Sequence, residues 1–61
     1  MFVRVEPNHL VKRTQYIIVE DGCTYIARFV KEVFIGGELY LMFSNTETLY
    51  FSLNCDFYQF V

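Results

Sequence analysis

Residues 14–43 read TQYIIVEDGCTYIARFVKEVFIGGELYLMF, and two glycine-bearing pairs divide this run into three β-rich segments. The first segment, Thr14 to Glu20, is rich in β-branched and aromatic residues, and Asp21-Gly22 then supplies the pair that favours a two-residue type I′ hairpin turn. Such a turn sets Ile18 opposite Tyr25 and Tyr16 opposite Ala27, which collects Tyr16, Ile18, Tyr25, Ala27 and Phe29 on one face. The second pair, Gly36-Gly37, closes a like hairpin with Phe34 opposite Leu39. The strand between the turns, Cys23 to Ile35, is far longer than the usual five or six residues, so a bend is expected in it. Its inward positions are odd at the first turn and even at the second. One extra residue, a bulge near Lys31 and Glu32 between Val30 and Val33, reconciles the two.

Outward from this run the pattern stays at a period of two. Phe2 to Glu6 reads as a first strand that Pro7 and Asn8 end, since proline cannot donate to a central ladder. Leu39, Leu41 and Phe43 alternate with Tyr40 and Met42, and Leu49, Phe51 and Leu53 alternate with Tyr50 and Ser52. If the two odd-numbered sets share the inner face, the loop around Asn45 to Glu47 has an odd number of residues. Tyr40, Met42 and Tyr50 then lie outside. Phe57 to Val61 reads as a closing strand, which could pair edge to edge with its counterpart if no other strand covers it. The expectation is one all-β domain over residues 1–61, with five or six antiparallel strands, as a small barrel or a split sheet.

Composition narrows the function. In 61 residues, 54% are hydrophobic and 20% aromatic, with seven Phe and five Tyr, which exceeds what the thin core of so small a domain absorbs. A second copy or a protein partner is the expected recipient. Five Lys and Arg stand against seven Asp and Glu for a net charge of −2, which argues against nucleic acid and anionic membranes. No apolar run is long enough to span a membrane, and the opening residues lack the pattern of a signal peptide, so a soluble intracellular setting is expected.

No residues point to catalysis, a cofactor or a metal. His9 stands alone without a nucleophile or orienting acid near it in sequence. Cys23 and Cys55 are too few for a zinc site even with His9, and they read as structural thiols rather than a disulfide. Acidic Asp56 beside Cys55 disfavours a thiolate there. Two binding readings are drawn from the aromatic residues. Tyr40, Met42, Tyr50, Tyr58 and Phe60 form the candidate interface of a homodimer. Tyr40, Tyr50 and Tyr58 could instead surround a methylated ammonium group, because aromatic faces attract cations. Lys12, Arg13, Arg28 and Lys31 with nearby tyrosines give a weaker case for stacking on single-stranded nucleic acid.

The order of short strand, EDG hairpin, long bent strand, GG turn, LYLMF and LYFSL resembles the SH3-like or Tudor-like small barrels over most of the chain. That resemblance implies a binding module, with a reader of methylated peptide or single-stranded nucleic acid as the alternative to self-association. TYIARFV, LYLMF, LYFSL and FYQF also resemble segments of small tyrosine- and phenylalanine-rich proteins of giant DNA viruses of amoebae. This second likeness implies a viral accessory or virion protein that works by interaction, in the host cytoplasm or nucleus or in the virion.

Overall fold

The computed structural model describes residues 1–45 and 48–61. These form one antiparallel sheet of six strands: β1 (Phe2–Val5), β2 (Gln15–Glu20), β3 (Cys23–Ile35), β4 (Glu38–Phe43), β5 (Leu49–Phe51) and β6 (Cys55–Phe60). The spatial order is β1-β6-β2-β3-β4-β5. The sheet is not closed into a barrel, so the split-sheet expectation describes it.

Both hairpin turns form in the expected register. Glu20 faces Cys23 across Asp21-Gly22, and Ile35 faces Glu38 across Gly36-Gly37. Each turn needs positive φ at both central residues. Asp21 at 52° and Gly22 at 80° meet that need, as do Gly36 at 60° and Gly37 at 82°.

Between the turns, β3 serves both halves of the sheet. Residues 23–28 pair with β2, whereas Phe29 to Ile35 pair with β4. The register slips by one residue between Phe29 and Lys31, leaving Val30 as the extra residue. The bulge therefore sits at the start of the expected interval, just before Lys31. Polar contacts brace this point from both sides. Phe29 N–H donates to the Thr14 carbonyl at 3.0 Å, Ser44 N–H to the Arg28 carbonyl at 3.0 Å, and Arg28 N–H to Ser44 Oγ at 3.2 Å. A bulge bends its strand and sharpens the twist, so the inner faces of the two halves meet.

What lies between them is a small aromatic core. Tyr16 and Ile18 from β2, Ala27 and Phe29 from β3, Leu41 and Phe43 from β4, Tyr50 from β5, and Cys55 and Phe57 from β6 are all buried. Tyr25 shares the expected face but lies at the rim, against the Tyr50 ring at 5.8 Å. Tyr16 also has a partner for its hydroxyl, which accepts the Val11 N–H at 2.8 Å and ties the loop before β2 to the core.

Three expectations are corrected. Leu41 faces Tyr50 and Met42 faces Leu49, so an even number of residues separates the paired ends of β4 and β5. The expected odd loop around Asn45 to Glu47 lies partly outside the described residues, but the flanking register excludes odd parity. Tyr50 consequently points inward and is 4% exposed, while Leu49 and Phe51 turn outward. Burial of Tyr50 is tolerable because Asn45 Nδ2 donates to its hydroxyl at 3.4 Å and its ring meets Phe43 edge-on. Leu53 is 82% exposed instead of inward, since β5 ends after three residues and Ser52–Asn54 form a 3₁₀ turn. Lastly, the closing strand begins at Cys55 and lies between β1 and β2, so it is an interior strand and not an edge.

Candidate interaction surface

With Cys55 and Phe57 directed inward, β6 presents Asp56, Tyr58 and Phe60 on the outer face, by the strict alternation of a strand. The pairings then fix their neighbours. Arg4, Tyr58, Ile17 and Ile26 stand in one row across β1, β6, β2 and β3. Phe2 faces Phe60 in the adjoining row, with ring centroids 5.2 Å apart at 72°.

Phe2, Ile17, Ile26, Tyr58 and Phe60 are among the residues that line a depression of roughly 470 Å³. Phe2 is 57%, Ile26 60% and Phe60 68% exposed. Side chains of this size are worth roughly 1.5–3 kcal/mol each on full burial. Their clustering on one face, unlike scattered exposure, marks a surface suited to contact. Beside the patch, Arg4 Nη2 meets Asp56 Oδ1 at 3.1 Å. This exposed pair adds little stability, but it sets two opposite charges against each other beside the patch.

The five expected interface residues separate into three places. Tyr58 and Phe60 belong to the depression. Tyr40 and Met42 lie together on the outer face of the other half, where Tyr40 packs on Phe51 at 5.0 Å and Met42 faces Leu49. All four of these residues are half-buried by one another and their strand neighbours. Tyr50 is in the core. Tyr40, Tyr50 and Tyr58 therefore do not converge, and no aromatic cage is built from these three.

Phe2, Ile17 and Ile26 were missed in the sequence. The signal for Ile17 was its place between inward Tyr16 and Ile18, which makes β2 apolar on both faces. Phe2 required knowing that β1 pairs with β6, a contact between opposite ends of the chain.

The thiols occupy one row with a carboxylate between them, since Glu20 on β2 faces Cys23 on one side and Cys55 on the other. Strands two apart are separated by about 9.5 Å, beyond the ~7 Å between Cα atoms that a disulfide tolerates. Both cysteines are free. Cys55 Sγ donates to Glu20 Oε2 at 3.6 Å. Burial, reinforced by the Glu20 charge and hydrogen bond, pushes the Cys55 thiol up to about 12. The Tyr25 phenol is also raised, chiefly by its hydrogen bond to the Cys23 side chain. Among the described residues no three His, Cys, Asp or Glu side chains are grouped to hold a metal.

His9 is exposed at the end of the Pro7–His9 3₁₀ turn. The cations do not form one track. Arg28 Nη1 donates to the Arg13 carbonyl at 3.0 Å, Lys12 and Arg13 lie before β2, and Lys31 faces Met42 on the other half. No helix among the described residues is long and apolar enough to cross a membrane. Comparisons of the chain with protein-family models, with curated proteins and with solved structures give no match.

Proposed function

We propose that this chain is a non-enzymatic interaction module that associates with a second copy of itself. The observation that carries the reading is the apolar patch on the outer face of β1-β6-β2-β3, in which Phe2, Ile26 and Phe60 are exposed and Ile17 and Tyr58 half-buried. Water-exposed aromatic and branched side chains so placed gain by removal from solvent, and Phe and Tyr are types enriched in interfaces.

A second copy is favoured over a charged partner because Arg4 and Asp56, which lie beside the patch, already satisfy each other. The surface is thus close to neutral and does not repel its own counterpart. Nucleic acid would require a cationic track, and the scattered Lys and Arg do not supply one. An interaction role is also what the likeness of the sequence to SH3-like small barrels implies.

Molar mass by light scattering across a micromolar concentration series tests the proposal. A dimer mass at the upper end is expected. A monomer mass throughout the series would remove self-association as the function.

A further inference from the structure

The two edges of the sheet are unequal. At one edge, β5 has only three residues and runs directly into a 3₁₀ turn, which is a common way of blunting an edge. The opposite edge is β1, Phe2–Val5, with sequence FVRV. It carries no proline or lysine, its pairing with β6 runs without a bulge, and its one charge is engaged by Asp56.

The direction of its free main-chain groups follows from the ladder. Met1 and Val61 exchange both bonds, with Val61 N–H to the Met1 carbonyl at 2.8 Å and Met1 N to the Val61 carbonyl at 3.1 Å. Hydrogen-bonded pairs alternate along an antiparallel ladder. Val3–Gln59 and Val5–Phe57 are therefore also bonded pairs, and the amides and carbonyls of Phe2 and Arg4 point away from β6.

We infer that β1 pairs antiparallel with β1 of a second copy, about a two-fold axis at Val3. This rests on the self-association reading and gives it a geometry. In this register Phe2 of each copy exchanges both main-chain bonds with Arg4 of the other, while the two Val3 residues face each other as a non-bonded pair. The alternatives are poorer. Centring on Arg4 sets two guanidinium groups directly opposite, which is destabilising. Centring on Phe2 carries each Arg4 past the Phe2 end of the other copy's strand and gives up the exchange between Phe2 and Arg4.

The chosen register also brings each Arg4 guanidinium beside the Phe2 ring of the other copy, an attractive contact of cation and π-face. A two-fold axis normal to the sheet keeps both outer faces on one side. Phe60, Phe2, the second copy's Arg4 and its Tyr58 then form one row. The pairing covers the Phe2 side of each patch, where Phe2 meets the second copy's Arg4, and sets the two patches side by side.

Arg4→Pro removes an outward N–H without touching the β1–β6 bonds, a setting in which an edge strand accepts proline. It is expected to give a folded monomer, whereas Arg4→Ala, which loses only the side chain, keeps the dimer. Val3→Cys in a Cys23→Ser background supplies the second measurement. Facing residues of a non-bonded pair lie about 4.5 Å apart between Cα atoms, within disulfide range. Mild oxidation is thus expected to link the Val3→Cys protein as a dimer and to leave a Val5→Cys control unlinked.

A dimeric parent that stays dimeric as Arg4→Pro, together with failure of Val3→Cys to link, overturns the β1 pairing while leaving self-association intact. A monomeric parent overturns both. Should Arg4→Pro fail to fold, the linking of Val3→Cys against Val5→Cys decides alone.

Discussion

Phe43 and Phe57 stack with ring centroids 5.7 Å apart and planes 11° from parallel. Their strands, β4 and β6, are not neighbours in the sheet. This contact is consequently made by one half of the sheet folding over the other. Phe57 is fully buried, and truncating a buried Phe costs about 3–5 kcal/mol. A domain of this size has little more to lose. Phe57→Ala should therefore be largely unfolded at room temperature by circular dichroism, and retention of a cooperative transition with a loss below about 1 kcal/mol would contradict the packing described.

Gly37 lies at φ 82° with open space around the place of a Cβ. Strain and not crowding should then set the effect of substitution. Gly37→Ala is expected to cost about 1–2 kcal/mol in urea unfolding, the penalty for an L-residue in the left-handed region. An unchanged midpoint would mean that the turn relaxes to another type.

Tyr16→Phe keeps the buried ring and deletes the acceptor of the Val11 N–H. The expected loss is about 1 kcal/mol, as for one ordinary hydrogen bond whose donor is left without a protein partner. Hydrogen exchange at Val11 should accelerate along with it. Slow exchange at Val11 in the variant would show that the loop is held by other contacts.

The two thiols should differ sharply. Iodoacetamide at mildly alkaline pH is expected to modify exposed Cys23 in the native protein and Cys55 only after unfolding, because the reactive species is the thiolate. Neither reductant nor chelator should move the melting temperature. The Cys55 shift also gives a pH dependence. Between its ordinary value of 9.0 and about 12 the folded thiol keeps a proton that the unfolded chain releases. Unfolding then releases protons in that window, so the contribution of Cys55 makes stability fall as pH rises through it and level off above. A Cys55→Ala control should lack that component of the alkaline slope. Equal labelling of both native thiols would refute the burial of Cys55.

The fold was legible where local chemistry sets the geometry. Asp21-Gly22 and Gly36-Gly37 dictate turns, and the conflict of parity between them requires a bulge, which is found at Val30. The β4–β5 connection was illegible because neither Asn45 nor its neighbours prescribe a loop length, and one residue of slip exchanges Tyr50 for Phe51 on the inner face. The surface suffered most from that slip. Tyr58 and Phe60 were recognisable by alternation alone, and the Asp21-Gly22 hairpin already sets Ile26 opposite Ile17, but the placing of β6 beside β2 and of Phe2 beside Phe60 rests on pairings over long separations, about which a period of two says nothing.

Because β3 belongs to both halves of the sheet, the order of assembly is constrained. The hairpins on either side of it close across two-residue turns, whereas β6 must return from residue 55 to lie beside β2, and β1 can dock only once β6 is in place. Closing the longer loops costs more chain entropy before any contact rewards it. By this argument the central strand is expected to nucleate folding, and the β1–β6 pair to form last and loosen first. Partner strands at β1 would act on the least secure part of the ladder, so association would slow unfolding by holding closed the edge at which it begins.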